Sequence, residues 1–192
     1  MKRRIFTIGL SELGISQLYL CKEKVDAVDL WFDTARADEY EPLPVYDFGN
    51  GRFTLTDGHS RAFVMACNGF HNVRVLVDTD EMITSKMGQR LYKRDIEWCE
   101  RKGLHTVADL SGRIISERRY VILWIERCKR LHNLFSGDIR NARNAAEGFP
   151  DMYLYGSDKN VLYFERNDKY YKYENGVMTN DELFNTAETG DM

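Results

Sequence analysis

The sequence predicts an α+β fold: a mixed β-sheet with packed helices, a helical middle region and a small C-terminal antiparallel β appendage. Three observations predict it. Up to residue 80, short apolar runs alternate with Gly- and Pro-rich turns. From 82 to 135 the apolar residues recur at helical spacing instead. After 150, aromatic-rich segments return, cut by Gly-Ser-Asp and Asn-Asp breaks. The 192 residues suit one ordinary domain with an appendage. They divide into a core at 1–80, a helical extension at 81–137 and a β-meander at 150–178.

Each element has its own reason. Ile5–Ile8 and Ile15–Leu20 are short apolar runs. Val25, Val28, Trp31 and Phe32 share one helical face, which predicts a helix from about Glu23 to Thr34. Pro42 and Pro44 forbid its continuation and favour an extended entry. Leu43–Phe48 and Arg52–Thr56 then form a hairpin around Gly49-Asn50-Gly51. Asp57-Gly58 turns the chain into a helix that Gly69 ends, and Val73–Val77 is a further strand. Helices are expected at Met82–Lys102, with Gly103 as the stop, at Thr106–Leu110, and at Glu117–Phe135 with Ser116 as cap. The face of this last helix is expected to be Tyr120, Val121, Leu123, Trp124, Cys128, Leu131 and Phe135, leaving Arg118, Arg119, Arg127, Lys129 and Arg130 in solvent. The stretch 138–150 reads as a linker or exposed helix, and Met178 onward reads as a fraying tail.

Charge and cysteine usage narrow the function. The net charge of -3 is segregated. Residues 1–83 hold 9 basic and 13 acidic groups, 84–143 hold 14 and 7, and 144–192 hold 4 and 10. A basic middle can face a phosphate backbone, but two acidic arms flank it, so nucleic acid is not the favoured partner. Cys21, Cys67, Cys99 and Cys128 form no CxxC pair, and the last three sit in apolar helical contexts as small buried hydrophobes. The four histidines show no metal-binding spacing. No apolar run is long enough to span a bilayer. The opening Met1-Lys2-Arg3-Arg4 turns polar by Ser11-Glu12, so no signal peptide and no membrane partner are expected, and the expected location is cytoplasmic. The tyrosines between 153 and 173 are read as the face of a small sheet, and Trp98 and Trp124 as helix–helix core.

The stretch richest in chemistry is Asp57-Gly58-His59-Ser60-Arg61. A helix N-terminus presents unpaired N–H groups and a positive dipole end, which attract anions. Gly58 permits a sharp turn and close approach of a ligand. Arg61, one turn in, offers a planar fork to phosphate or carboxylate. His59 and Asp57 can carry protons or hold a metal. As residues alone, Asp57 also serves as a plain helix cap and Arg61 as a surface ion-pair partner.

The order of elements resembles the ParB/sulfiredoxin superfamily over about residues 14–80. It consists of a helix, Pro-Leu-Pro-Val, a hairpin, DGHSRA entering a helix, Gly69 and the strand Val73-Arg74-Val75-Leu76-Val77. In that superfamily the turn binds nucleotide phosphates. Partition proteins carry a Gly-Glu-Arg-Arg box and bind CTP, sulfiredoxins carry Gly-Cys-His-Arg and use ATP, and free serine kinases carry Asp-Gly-His-x-Arg. The resemblance matches Gly58 to the turn glycine and Arg61 to the phosphate-binding arginine. His59 stands where sulfiredoxins keep their cysteine, and Ser60 where partition proteins have an arginine. The serine-kinase pattern fits these residues best. It implies an ADP- or ATP-dependent kinase acting on a small hydroxylated acceptor such as serine, with Mg²⁺ as cofactor. In that scheme Gly58, His59, Ser60 and Arg61 cradle phosphate, Asp57 holds Mg²⁺, and His59 donates to the transferred group. The kinases' glutamate base has its nearest counterpart in Glu23, which as a residue also reads as the N-terminal acid of a helix. The alternatives are a ParB-like, nucleotide-gated DNA-associated protein and a non-catalytic interaction module on the same fold.

Overall fold

Apolar–polar alternation places the first strands where the sequence puts them. The computed structural model describes residues 5–190; Met1–Arg4, the basic opening, lie outside the described residues, as do 191 and 192. The chain divides into two units, Met1–Glu117 and Arg118–Met192.

The first unit is built on a four-stranded mixed sheet. Its strands are β1 (Ile5–Gly9), β3 (Leu43–Asp47), β4 (Phe53–Leu55) and β5 (Asn72–Val77), in the order β1-β5-β3-β4. β3 runs parallel to β5, whereas β1–β5 and β3–β4 are antiparallel. The last of these pairs is the expected hairpin. Val45, Leu55 and Val75, on β3, β4 and β5, are fully buried. A short parallel pair, β2 (Leu20–Cys21) with β6 (Ile114–Ile115), ties the end of the unit to its beginning.

Helix α1 (Lys22–Trp31) follows β2 and contributes no buried residue, and a 3₁₀ segment, Thr34–Glu39, follows it. Helix α2 (His59–Cys67) buries His59, Ala62, Phe63 and Val64, and Gly69 closes its C-terminal end at φ 79°. The predicted helix at 82–102 is two helices, α3 (Glu81–Thr84) and α4 (Lys86–Arg101). Ser85 adopts an extended ψ of 155° and caps α4 by accepting the Gly88 N–H at 3.1 Å. Trp98 and Cys99 of α4 are buried, and Tyr92 stacks on Phe48 at 5.1 Å. The short helical piece expected at Thr106–Leu110 is a 3₁₀ segment, Val107–Arg113, with Thr106 as its N-cap. Cys67 is exposed, contrary to expectation, because its position at the C-terminal end of α2 turns outward.

From Arg118, within α5 (Glu117–Tyr120), the second unit continues through a π-helical turn (Val121–Glu126) and α6 (Arg127–Ser136). Asp138 caps α7 (Ile139–Glu147), which fills the stretch left open between linker and helix. The meander has four strands: β7 (Tyr153–Asp158), β8 (Val161–Arg166), β9 (Lys169–Glu174) and β10 (Val177–Asn180). All its pairings are antiparallel. The tail beyond 178 does not fray. It completes β10 and then forms α8 (Glu182–Thr189), whose Phe184 and Ala187 are fully buried. Asn185 brackets the Tyr170 backbone with two hydrogen bonds of 2.8 and 2.9 Å. The Arg119 guanidinium donates to the carbonyls of Ala187 and Glu188, satisfying the last turn of α8.

Arg127 and Arg130 are not in solvent; they are 1% and 6% exposed. Positions 120, 123, 124, 127, 130, 131 and 134 are buried in one continuous 3–4 series, so helix geometry sends both arginines inward. The surroundings of Arg130 compensate its burial. Its Nη1 donates to the Tyr155 hydroxyl at 3.0 Å and the Asp181 carboxylate at 2.5 Å. The rings of Tyr163 and Phe184 lie 3.7 and 4.1 Å from the guanidinium carbon. Gly156 is required beneath it, since a Cβ there would come within 2.9 Å of the Arg130 backbone. Among the described residues, no helix is long and apolar enough to cross a membrane.

Candidate anion site at the turn into helix α2

β4 ends at Leu55, and the chain must reverse within three residues to start α2. Thr56 is clamped first. Its N–H donates to the Pro44 carbonyl, its hydroxyl to Asp78 at 2.6 Å, and its carbonyl accepts from the Tyr92 hydroxyl. Asp57 follows and is exposed. Gly58 is the N-cap and lies in the left-handed region at φ 76°, ψ 19°, where a side chain is strained. Space excludes one as well, since a Cβ would sit 2.9 Å from Leu43 Cδ2 and 3.2 Å from Arg61 Nη2.

A helix capped by glycine has no side chain to satisfy its first N–H groups. Asp80, Ser85 and Asp138 supply that bond to α3, α4 and α7; α2, like α1 and α8, has no side-chain cap. The first intrahelical bond of α2 is Ala62 N–H to the Gly58 carbonyl at 2.9 Å. The N–H groups ahead of it are left to solvent or to an anion. Asp57, the cap considered from sequence, does not fill that role.

The box residues do not all gather at this opening. His59 turns into the core, 4% exposed, where its Nε2 accepts the Ser16 N–H at 3.2 Å. Burial pushes its pKa down to about 4, against a smaller upward pull from the Asp57 carboxylate. The ring is therefore neutral at pH 7 and acts as an acceptor for the backbone. Ser16, 43 residues away, was not marked by any local signal. Its hydroxyl donates to the Leu55 carbonyl at 2.7 Å, so it ties β4 and α2 to one loop. The Arg61 guanidinium lies along the turn, with Nη1 donating to the Glu41 carbonyl at 3.0 Å.

Glu23 is exposed in the first turn of α1. Its carboxyl is held below the usual carboxylate range by its own N–H first, then by the Glu117 N–H and the Cys21 thiol, which donates at 3.2 Å. This is the behaviour of an acid at a helix N-terminus. Among the described residues, no three His, Cys, Asp or Glu side chains converge as a metal-binding group. The opening can hold an anion on main-chain donors beside a guanidinium, with one carboxylate at its rim.

No family model matches the chain, and no curated protein matches it. Solved structures to which it is similar include protein Atu1540 from Agrobacterium tumefaciens, 14% identical, with a TM-score of 0.41, covering 77% of this chain and 92% of that one. It is also similar to a Pnob8-like ParB-N domain at 10% identity and TM-score 0.37, and to a pNOB8-like ParB N-domain at 11% and 0.30. The alignments cover 98% of this chain in both cases, but only 61% and 57% of those chains.

Proposed function

We propose that this protein is a nucleotide-binding phosphotransferase of the ParB/sulfiredoxin type, acting on a small hydroxylated metabolite such as serine. One observation carries the reading: the uncapped N-terminus of α2, with Arg61 folded against Gly58 at the same opening. The Asp-Gly-His-x-Arg box adds the sequence support.

The residues present fit the groups this chemistry needs. The main-chain N–H groups of 59–61 bind phosphate oxygens, and Arg61, anchored through Nη1 to the Glu41 carbonyl, offers Nη2 and Nε for a charge-assisted pair with phosphate. Asp57 is a hard oxygen ligand at the rim and the only carboxylate the box supplies. Asp57 would be the residue that holds Mg²⁺ here. Bound there, the ion supplies neutralisation of phosphate charge. His59 is a positioning residue in this scheme, since its buried ring fixes the Ser16 loop against the turn. Glu23 remains the candidate base for the acceptor hydroxyl.

The DNA-associated reading draws on the basic middle third, from which Arg127 and Arg130 are withdrawn into the core. A thermal-shift screen of ADP, ATP, CTP and GTP with and without Mg²⁺ tests the proposal. A ligand at a hundred times its Kd stabilises by about 2.7 kcal/mol. An adenine nucleotide should raise Tm, with a Mg²⁺ requirement that Asp57→Asn removes. No shift with any nucleotide would leave the interaction-module reading in its place.

A further inference from the structure

A recess of about 190 Å³ lies beside the turn, among the end of α1, the 3₁₀ segment and strands β1 and β5. Gly58, His59 and Ser60 do not line it; of the box, only Arg61 does. Its volume is below the roughly 300 Å³ at which drug-sized pockets begin, so it suits a molecule of amino-acid size and not a whole nucleotide.

Its walls are of two kinds. Trp31 and Tyr40 form an aromatic wall, edge-to-face at 5.1 Å, continued by Phe32 and Phe70. Tyr40 is fixed by the Asp33 N–H, which donates to its hydroxyl at 2.8 Å. The residues that line it include Arg61 and Arg74 on one hand and Asp38 and Glu41 on the other. Each guanidinium donates through Nη1 to a main-chain carbonyl, Arg61 to Glu41 and Arg74 to Asp38. Those bonds hold the forks in place and leave their other N–H groups. Among the described residues, none of these four side chains forms an ion pair with another side chain. Two cationic and two anionic residues thus border one small aromatic recess, and no ion pair joins them.

We propose that this recess binds a free aromatic α-amino acid. The ring lies on the Trp31–Tyr40 wall, the carboxylate pairs with Arg61 and Arg74, and the ammonium pairs with Asp38 and Glu41. A purely anionic or purely cationic aromatic ligand leaves one pair of lining charges unmatched, so both charges are read. The proposal goes beyond the phosphotransferase reading and shares Arg61 with it, but does not need it.

The test uses the full chain and tryptophan fluorescence. Trp98 and Trp124 are 0% and 8% exposed, whereas Trp31 is 48% exposed and lines the recess, so it is the reporter. Titration with L-phenylalanine should give a saturable emission change that Trp31→Phe abolishes. 3-Phenylpropionate, which lacks the ammonium, and 2-phenylethylamine, which lacks the carboxylate, should each bind at least tenfold more weakly. Glu41→Gln, at an exposed position, and Arg74→Gln should each weaken L-phenylalanine at least tenfold with an unchanged circular dichroism spectrum. No saturable change, or equal binding of either truncated ligand, overturns the proposal, as does a folded Glu41→Gln with parental affinity. Phenylalanine binding without any nucleotide binding would sink the phosphotransferase reading and leave this one standing.

Discussion

Lowering the pH should destabilise this protein through His59, and the structure sets the size of the effect. The ring is neutral in the fold, with its pKa pushed down to about 4 by burial, against an ordinary value of 6.5. Between those values the unfolded chain holds a proton that the folded chain refuses, so stability rises with pH through this window and falls as pH drops. Each pH unit between the two values corresponds to about 1.4 kcal/mol, so the full window is worth roughly 3 kcal/mol. From pH 7 to pH 5 the loss is about 2 kcal/mol. Urea denaturation at pH 7, 6 and 5 measures it, with His59→Gln as control. Glutamine keeps an acceptor for the Ser16 N–H but does not titrate. The parent should lose about 2 kcal/mol more than the variant over that range. Equal losses would show that His59 is not the buried neutral acceptor described above.

Other perturbations follow from the packing. Asp181→Ala leaves the buried Arg130 guanidinium without its carboxylate and should cost about 3–5 kcal/mol in equilibrium unfolding; a loss below about 1 kcal/mol would contradict the pairing. Phe184→Ala empties a fully buried site against Tyr155 and Tyr170 and should cost about 3–5 kcal/mol. Faster hydrogen exchange in 177–189 than in 153–166 would accompany it, whereas an unaffected Tm would return the tail to the disordered class. Cys99→Ser should destabilise by about 1–2 kcal/mol, while Cys67→Ser, at an exposed position, should stay within about 0.5 kcal/mol.

Much of the fold was legible because local physics decided it. Alternation around Gly49-Asn50-Gly51 is enough to make β3 and β4 a hairpin, and Gly58 and Gly69 mark the ends of α2 through their positive φ. What the sequence hid depends on contacts between distant residues. Nothing near Arg130 announces Asp181, 51 residues on, whose carboxylate makes the buried arginine tolerable. The same holds for α8: its eight residues look like a polar tail until Phe184 meets Tyr155 and Tyr170. At the candidate site, the turn, its glycine and the open N–H groups could be read from Asp57–Arg61. The inward rotation of His59 could not, because its partner is a backbone N–H 43 residues earlier. Ser85 offered a local signal that periodicity overrode, since a serine three residues before Gly88 reads as a cap once a break is admitted.

The central claim is that the α2 N-terminus and Arg61 together hold phosphate. The most direct measurement is isothermal titration of ADP and ATP, with Mg²⁺, into the parent protein and into Arg61→Ala. Removing a charge-assisted fork should weaken binding by about 1.5–3 kcal/mol, or roughly 10- to 160-fold, while the unfolding midpoint moves little. Nucleotide binding to Arg61→Ala with parental affinity would show that the turn does not hold phosphate through this residue and would contradict the account.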